Sequence, residues 1–205
     1  MAERIPPPVL AALADLASWL ESAKIPAVII GGVASSFLGR PRLTRDVDAL
    51  AILPDNKWES ATAAAQNFGI VPRIEQPIDF ARRSRVLLLK HTQSDIEIDV
   101  ILGGLPFEQD AVERASTHRI GEISIRLPRV EDLIIMKVIA HRDKDLQDVE
   151  GLLNAHPDVN IDEIRQYVRD FADATSMSDL VVDFERILER RKKQTRRSTT
   201  RHAPK

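Results

Sequence analysis

Residues 27–53, AVIIGGVASSFLGRPRLTRDVDALAIL, decide the fold. The run 27–30 is short, apolar and mostly β-branched, which reads as a buried strand. It stops at Gly31-Gly32, and the apolar stretch VASSFLG follows directly as a short helix. GRPRLTR is polar and carries Pro41, so it is a loop. VDALAIL at 47–53 is a second strand, entered through Asp46. Strand, glycine turn, helix, loop and strand in close succession set the chain in a mixed α/β (α+β) class with a small mixed sheet flanked by helices.

Working outward, 9–22 (VLAALADLASWLES) repeats its apolar side chains at helical spacing, with prolines at its start. Pro54 opens a helix over 55–67 that Gly69 closes. The stretch 70–83 has no clear period. RVLLLK (85–90) and IEIDVIL (96–102) read as strands joined by the polar loop His91–Asp95. PFEQDAVERA is helical in character, and ISIRL (123–127) alternates as a half-buried strand. After Pro128 every segment has helical period: RVEDLIIMKVIAHR, DKDLQDVEGLLNA, IDEIRQYVRDFADA and DLVVDFERILERR. Asn160 with Glu163, and Ser176 with Asp179, read as N-caps with an acid at the third position. The expected organisation is a mixed core over 1–128, a helical bundle over 129–193 and a basic, disordered tail over 194–205.

The chain has 205 residues, 43% of them hydrophobic and 29% charged, which is enough to bury a core without a staple. It has no cysteine, which excludes disulfides and thiolate zinc and fits a reducing cytoplasm. No apolar run approaches the ~18–20 residues of a membrane span, and no signal peptide is legible. Residues 186–205 hold nine Lys/Arg against Glu189 alone, hence +8; the net charge of -2 leaves -10 on the remainder. Such a tail is either a solvated terminus or a contact for a polyanion such as RNA. No G-x-x-x-x-G-K-[ST] motif occurs, which sets aside a P-loop hydrolase.

The chemistry-bearing residues are acidic. In a strand, Asp46 and Asp48 project from the same face. Two adjacent carboxylates repel unless a cation neutralises them, and oxygen-only ligands suit magnesium or manganese. Gly31-Gly32 lets a ligand approach the backbone, and amides at a helix start attract phosphate; a plain turn is the simpler reading of the pair alone. On 96–102, Ile96, Ile98 and Val100 share one face, while Asp99 points the other way with Glu97 and Ile101. A carboxylate on so apolar a strand faces either solvent or the same cations as the first pair.

Taken together, a strand ending in Gly-Gly, a helix, Asp46 and Asp48, then a further acidic strand resemble the polymerase-beta-like nucleotidyltransferase superfamily. GGVASSFLGRPRLTRDVDAL looks most like the abortive-infection (AbiEii-type) toxin branch, in which the R-x-T-x-D-x-D stretch (Arg42, Thr44, Asp46, Asp48) recurs. Gly32 departs from it, since many relatives carry Ser there. The resemblance covers roughly 27–150 and implies metal-dependent transfer of a nucleoside monophosphate from an NTP to an acceptor hydroxyl. It implies a two-metal mechanism with Asp46, Asp48 and Asp99 as metal ligands and catalytic residues, and Gly31, Gly32, Thr44 and Lys137 as nucleotide-binding positions. It also implies a later Lys and Asp, matched by Lys137 and Asp148. The implied acceptor is RNA (a tRNA 3′ end) or protein, and a cognate antitoxin is the implied partner. An antibiotic-modifying enzyme and a non-catalytic binding module of the same fold are the rivals.

Lys137 interrupts the apolar LIIMKVIA, so it either snorkels to the surface or holds an anion. Asp145 and Asp148 lie three apart on one helix face, placed either to orient such a lysine or to make exposed pairs such as Lys144–Asp148. Arg82, Arg83, Arg85 and Lys90 cluster before Asp99. The superfamily places triphosphate-binding basic residues hereabouts, and Arg85 is the preferred candidate. The five histidines show no ligand spacing.

Overall fold

The computed structural model describes residues 5–201, with side chains through 193. The helices are α1 (Pro7–Ser22), α2 (Gly31–Leu38), α3 (Trp58–Ala65), α4 (Pro77–Ser84), α5 (Pro106–Glu113), α6 (Val130–Ala140), α7 (Asp143–Ala155), α8 (Ile161–Thr175) and α9 (Asp179–Arg201). The strands are β1 (Ala27–Ile30), β2 (Asp46–Ala51), β3 (Ile70–Pro72), β4 (Val86–His91), β5 (Ile96–Leu102), β6 (Ser116–Ile120) and β7 (Ile123–Leu127). Two compact units result: residues to Phe37 with Pro41–Arg129, and Leu38–Arg40 with the chain from Val130 onward. The expected tail over 194–205 lies outside the described side chains; α9 carries the backbone helix to Arg201.

The first unit is built on a five-stranded mixed sheet in the order β1-β2-β5-β4-β3. Only β2 and β5 are parallel; the other neighbours run antiparallel. Alternation along the strands separates two faces. One face carries Val47, Ala49, Ile98, Val100, Leu87 and Leu89, all buried. At ~25 cal/mol per Å2 of apolar surface, each larger side chain there contributes on the order of 1.5–3 kcal/mol. Helix α1 packs against β2 and β5 with Val9, Ala12, Leu13, Leu16, Trp19 and Leu20 buried, the i, i+3, i+4 stripe expected of an amphipathic helix. Asp15 on α1 meets the buried His91 of β4 at 2.8 Å, and the other ring nitrogen meets Ser94 Oγ at 2.7 Å. That chain of contacts ties the helix to the β4–β5 hairpin.

Several elements differ from the sequence reading. The stretch 70–83 holds β3 and α4. β3 is only three residues long and occupies the sheet edge, where Pro72 needs no ladder donor. Arg85 does not begin β4; it caps α4 in the left-handed conformation (φ 60°), with its N–H on Ala81 O. The polar β6, which pairs with β7 as a separate hairpin, had no apolar signature. The helix over 55–67 is split between α3 and short 3-10 turns on either side. Gly69 closes it at φ 67°.

The second unit is helical. Asn160 caps α8 as expected, its side chain accepting the Glu163 N–H at 3.1 Å. Ser176 does not begin α9: it ends α8 in the left-handed conformation (φ 59°), donating its N–H to Ala172 O. The amphipathic α8 buries Ile164, Val168 and Ala172, while α9 buries Leu180, Phe184, Ile187 and Leu188. Arg165 of α8 and Glu185 of α9 form a charge-assisted pair that raises the guanidinium pKa and lowers that of the carboxyl. Among the described residues no helix is long and apolar enough to cross a membrane.

Candidate active site

Strand register assembles the acids. In the parallel β2–β5 pair, Asp46 lies opposite Glu97 and Asp48 opposite Asp99; Ile30 of β1 lies opposite Asp48 on its other side. Partners in register share a face, so all four carboxylates emerge on the side opposite the α1 core, and neighbouring strands are ~4.8 Å apart. Thr44, buried at 3% exposure, donates its hydroxyl to Asp46 Oδ1 at 2.7 Å and fixes that carboxylate. Ser36 of α2 joins both the N–H and the C=O of Arg42, tying the 39–45 loop to the helix. Thr44 therefore acts here as a support for Asp46.

Gly31 is required by contact as well as by conformation, and Gly32 by contact. Gly31 has φ +61°, and a Cβ there would fall inside the Asp48 carboxylate, 2.7 Å from Asp48 Cβ. A Cβ on Gly32 would strike the Thr44 hydroxyl and lie 3.0 Å from Thr44 Cβ. The start of α2 is thus laid directly on Asp48 and Thr44, and the absent side chains let the acids reach the turn.

Asp99 is not bare. Arg73, one residue beyond β3, donates Nη1 to Asp99 Oδ1 at 2.7 Å and to Leu89 O at 3.2 Å, and lies 3.6 Å from Glu97 Oε2. The sequence reading missed this arginine, because 70–83 shows no period and the contact spans 26 residues. Arg85 sits at the other end of β5: its guanidinium donates to Leu102 O (2.9 Å) and Gly103 O (3.0 Å) and lies 5.2 Å over the Trp58 ring. The structure does not bring it to the acids.

Oxygen donors such as Asp46 and Asp48 fit a hard divalent cation. Among the described residues no group of three or more acidic or histidine side chains is arranged to hold one. Asp46, braced by Thr44, and Asp48 are the two carboxylates that would hold an ion, and Asp99 is bonded to Arg73.

In the second unit, Lys137 of α6 is buried and neither snorkels nor stands alone. Its Nζ meets Asp145 at 2.8 Å and Asp148 at 2.9 Å, both buried on α7. Arg142 adds Nε to Asp145 Oδ2 at 2.5 Å. Burial disfavours charge on Asp145, but the hydrogen bonds from Arg142 and Lys137 outweigh it and hold its carboxyl below the usual value.

A mixed sheet with an Asp-x-Asp strand laid on a glycine turn defines a nucleotidyltransferase fold, and the solved structures agree. The solution structure of antibiotic-resistance factor ANT(2″)-Ia superposes with TM-score 0.57 at 13% identity, covering 83% of this chain and 95% of that one. The crystal structure of ANT(2″)-Ia in complex with adenylyl-2″-tobramycin gives 0.54 at 15% identity, covering 82% and 99%. The comparison with curated protein sequences gives no match. The family described as "Nucleotidyl transferase AbiEii toxin, Type IV TA system" matches residues 12–204, and the chain belongs to it.

Proposed function

We propose that this chain transfers a nucleoside monophosphate from an NTP to an acceptor hydroxyl with magnesium or manganese, and that the acceptor is RNA or protein. The observation that carries the reading is the seating of Asp48 against the Gly31 backbone, in register with Asp99 and beside the Thr44-braced Asp46. Gly31 and Gly32 offer amides at the start of α2 to the phosphates, where negative charge accumulates. Asp46 and Asp48 would hold the cation, which when bound neutralises the triphosphate and the leaving pyrophosphate. The acceptor oxygen attacks the α-phosphorus, the bond to the β-phosphate oxygen breaks, and pyrophosphate leaves with that electron pair. Asp99 receives the acceptor proton.

Membership of a toxin–antitoxin family supports an antitoxin protein as partner. Incubating the protein with each labelled NTP, total RNA, total protein and magnesium shows which polymer gains label. Asp48→Asn is expected to abolish labelling with the fold intact; undiminished labelling by that variant would overturn the assignment. Label passing only to a small molecule would instead favour the chemistry that the ANT(2″)-Ia complex displays. An RNA acceptor adds a salt signature: binding weakens steeply with salt, and deleting 191–205 flattens the slope.

A further inference from the structure

Arg73 is a charged group on the acid face that the proposed reaction leaves unused. Its main-chain N–H joins Leu88 O at 3.1 Å, which extends the β3–β4 ladder by one rung. Arg73, Leu88, Asp99, Asp48 and Ile30 then stand in line across the sheet. The guanidinium therefore reaches over β4 on the acid face, with its side chain 20% exposed and that of Asp99 35%. A guanidinium keeps its charge, and its bond to a carboxylate oxygen is among the stronger hydrogen bonds. One positive charge thus already occupies the place where the third carboxylate would meet a cation.

We propose that Arg73 is a positioning residue that withholds Asp99 from cations in the nucleotide-free protein and releases it when a triphosphate enters. This rests on the nucleotidyl-transfer reading. Guanidinium and divalent cation compete for one carboxylate, and phosphate oxygens match the planar guanidinium fork at least as well as that carboxylate does. An arriving triphosphate gives Arg73 an alternative anion, and Asp99 becomes available in the same event. Glu97, 3.6 Å from Nη1, keeps the arginine nearby after release. The device makes the full acid set conditional on nucleotide, so that without NTP the site holds no more than the Asp46–Asp48 ion.

Manganese binding to the full chain, followed by electron paramagnetic resonance without nucleotide, tests it. Wild type and Asp99→Asn should bind alike. Arg73→Gln should bind at least ten-fold tighter, about 1.4 kcal/mol, and the gain should vanish in Arg73→Gln/Asp99→Asn. Arg73→Lys, which keeps the charge, should return binding to the wild-type level. Arg73→Met serves as a second uncharged variant, and thermal melts check the fold of each. Arg73→Gln and Arg73→Met binding like wild type, or Asp99→Asn weakening the wild-type ion, would overturn the proposal. Binding of manganese with NTP by wild type and Asp48→Asn is read in parallel. If Asp48→Asn loses nothing there, it is the nucleotidyl-transfer reading that fails.

Discussion

Gly31→Ala tests whether the glycine turn serves conformation alone or the seating of Asp48, and Gly121 supplies the control. Both residues have φ +61°, but a Cβ on Gly121 meets nothing within 4 Å, whereas one on Gly31 runs into Asp48. Gly121→Ala should therefore cost only the left-handed backbone penalty, about 1–2 kcal/mol. Gly31→Ala carries the same penalty plus forced overpacking, typically ~1–3 kcal/mol. Its Cβ would lie 2.5 Å from Asp48 Cγ, so the carboxylate must move by roughly an ångström; a misplacement of that size costs on the order of 100-fold in rate. Both tryptophans, Trp19 and Trp58, are buried in the first unit, so urea unfolding followed by their fluorescence reports that unit directly. The surplus of Gly31→Ala over Gly121→Ala should disappear in an Asp48→Gly background, which a double-mutant cycle measures. Equal costs for the two glycines, or a surplus that survives Asp48→Gly, would refute the reasoning.

Lys137→Met leaves Asp145 and Asp148 buried together without their shared cation; a loss of about 3–5 kcal/mol is expected in helix unfolding followed by circular dichroism. The depressed carboxyl of Asp145 stabilises the fold in full above its ordinary value of 3.8. That contribution is lost as the pH falls through the lower folded-state value, so Asp145→Asn should flatten this part of the acid-unfolding curve. Arg85→Ala should destabilise by about 1–3 kcal/mol while leaving the KM for NTP unchanged, because its guanidinium is committed to Leu102 O, Gly103 O and Trp58. A raised KM with unchanged stability would return Arg85 to the nucleotide.

What could be read from the chain follows from how local each cause is. The face shared by Asp46 and Asp48, the outward turn of Asp99 on IEIDVIL and the β4–β5 hairpin all depend on residues one or two apart. Alternation displays such relations directly. The pairing of Lys137 with Asp145 and Asp148 was half legible: the i, i+3 spacing showed one face of α7, but not that α6 is packed against it. Arg73 and Arg85 mark where local reading ends. In sequence Arg85 belongs to a basic cluster with Arg82 and Arg83, whereas Arg73 stands alone nine residues before it. Their roles separate only because Arg73 extends an edge strand whereas Arg85, at φ 60°, turns the chain toward the far end of β5. The Ser176 error has a similar root, since serine suits a helix start by its side chain and here ends α8 by its backbone.

The alignment of Asp48 with Asp99 makes folding and activity inseparable in this sheet. Moving β5 by one residue against β2 would turn every side chain of the strand over. Asp99 would enter the apolar layer beside α1, and Ile98 or Val100 would face Asp48 in its place. Burying that carboxylate costs several kcal/mol, and the same slip takes Glu97 and Asp99 away from Asp46 and Asp48, so a mispaired chain would lose stability and, on the proposed reading, its complete acid set. For a protein of a toxin family this matters beyond stability: on the proposed reading, the complete site would exist only in the native register.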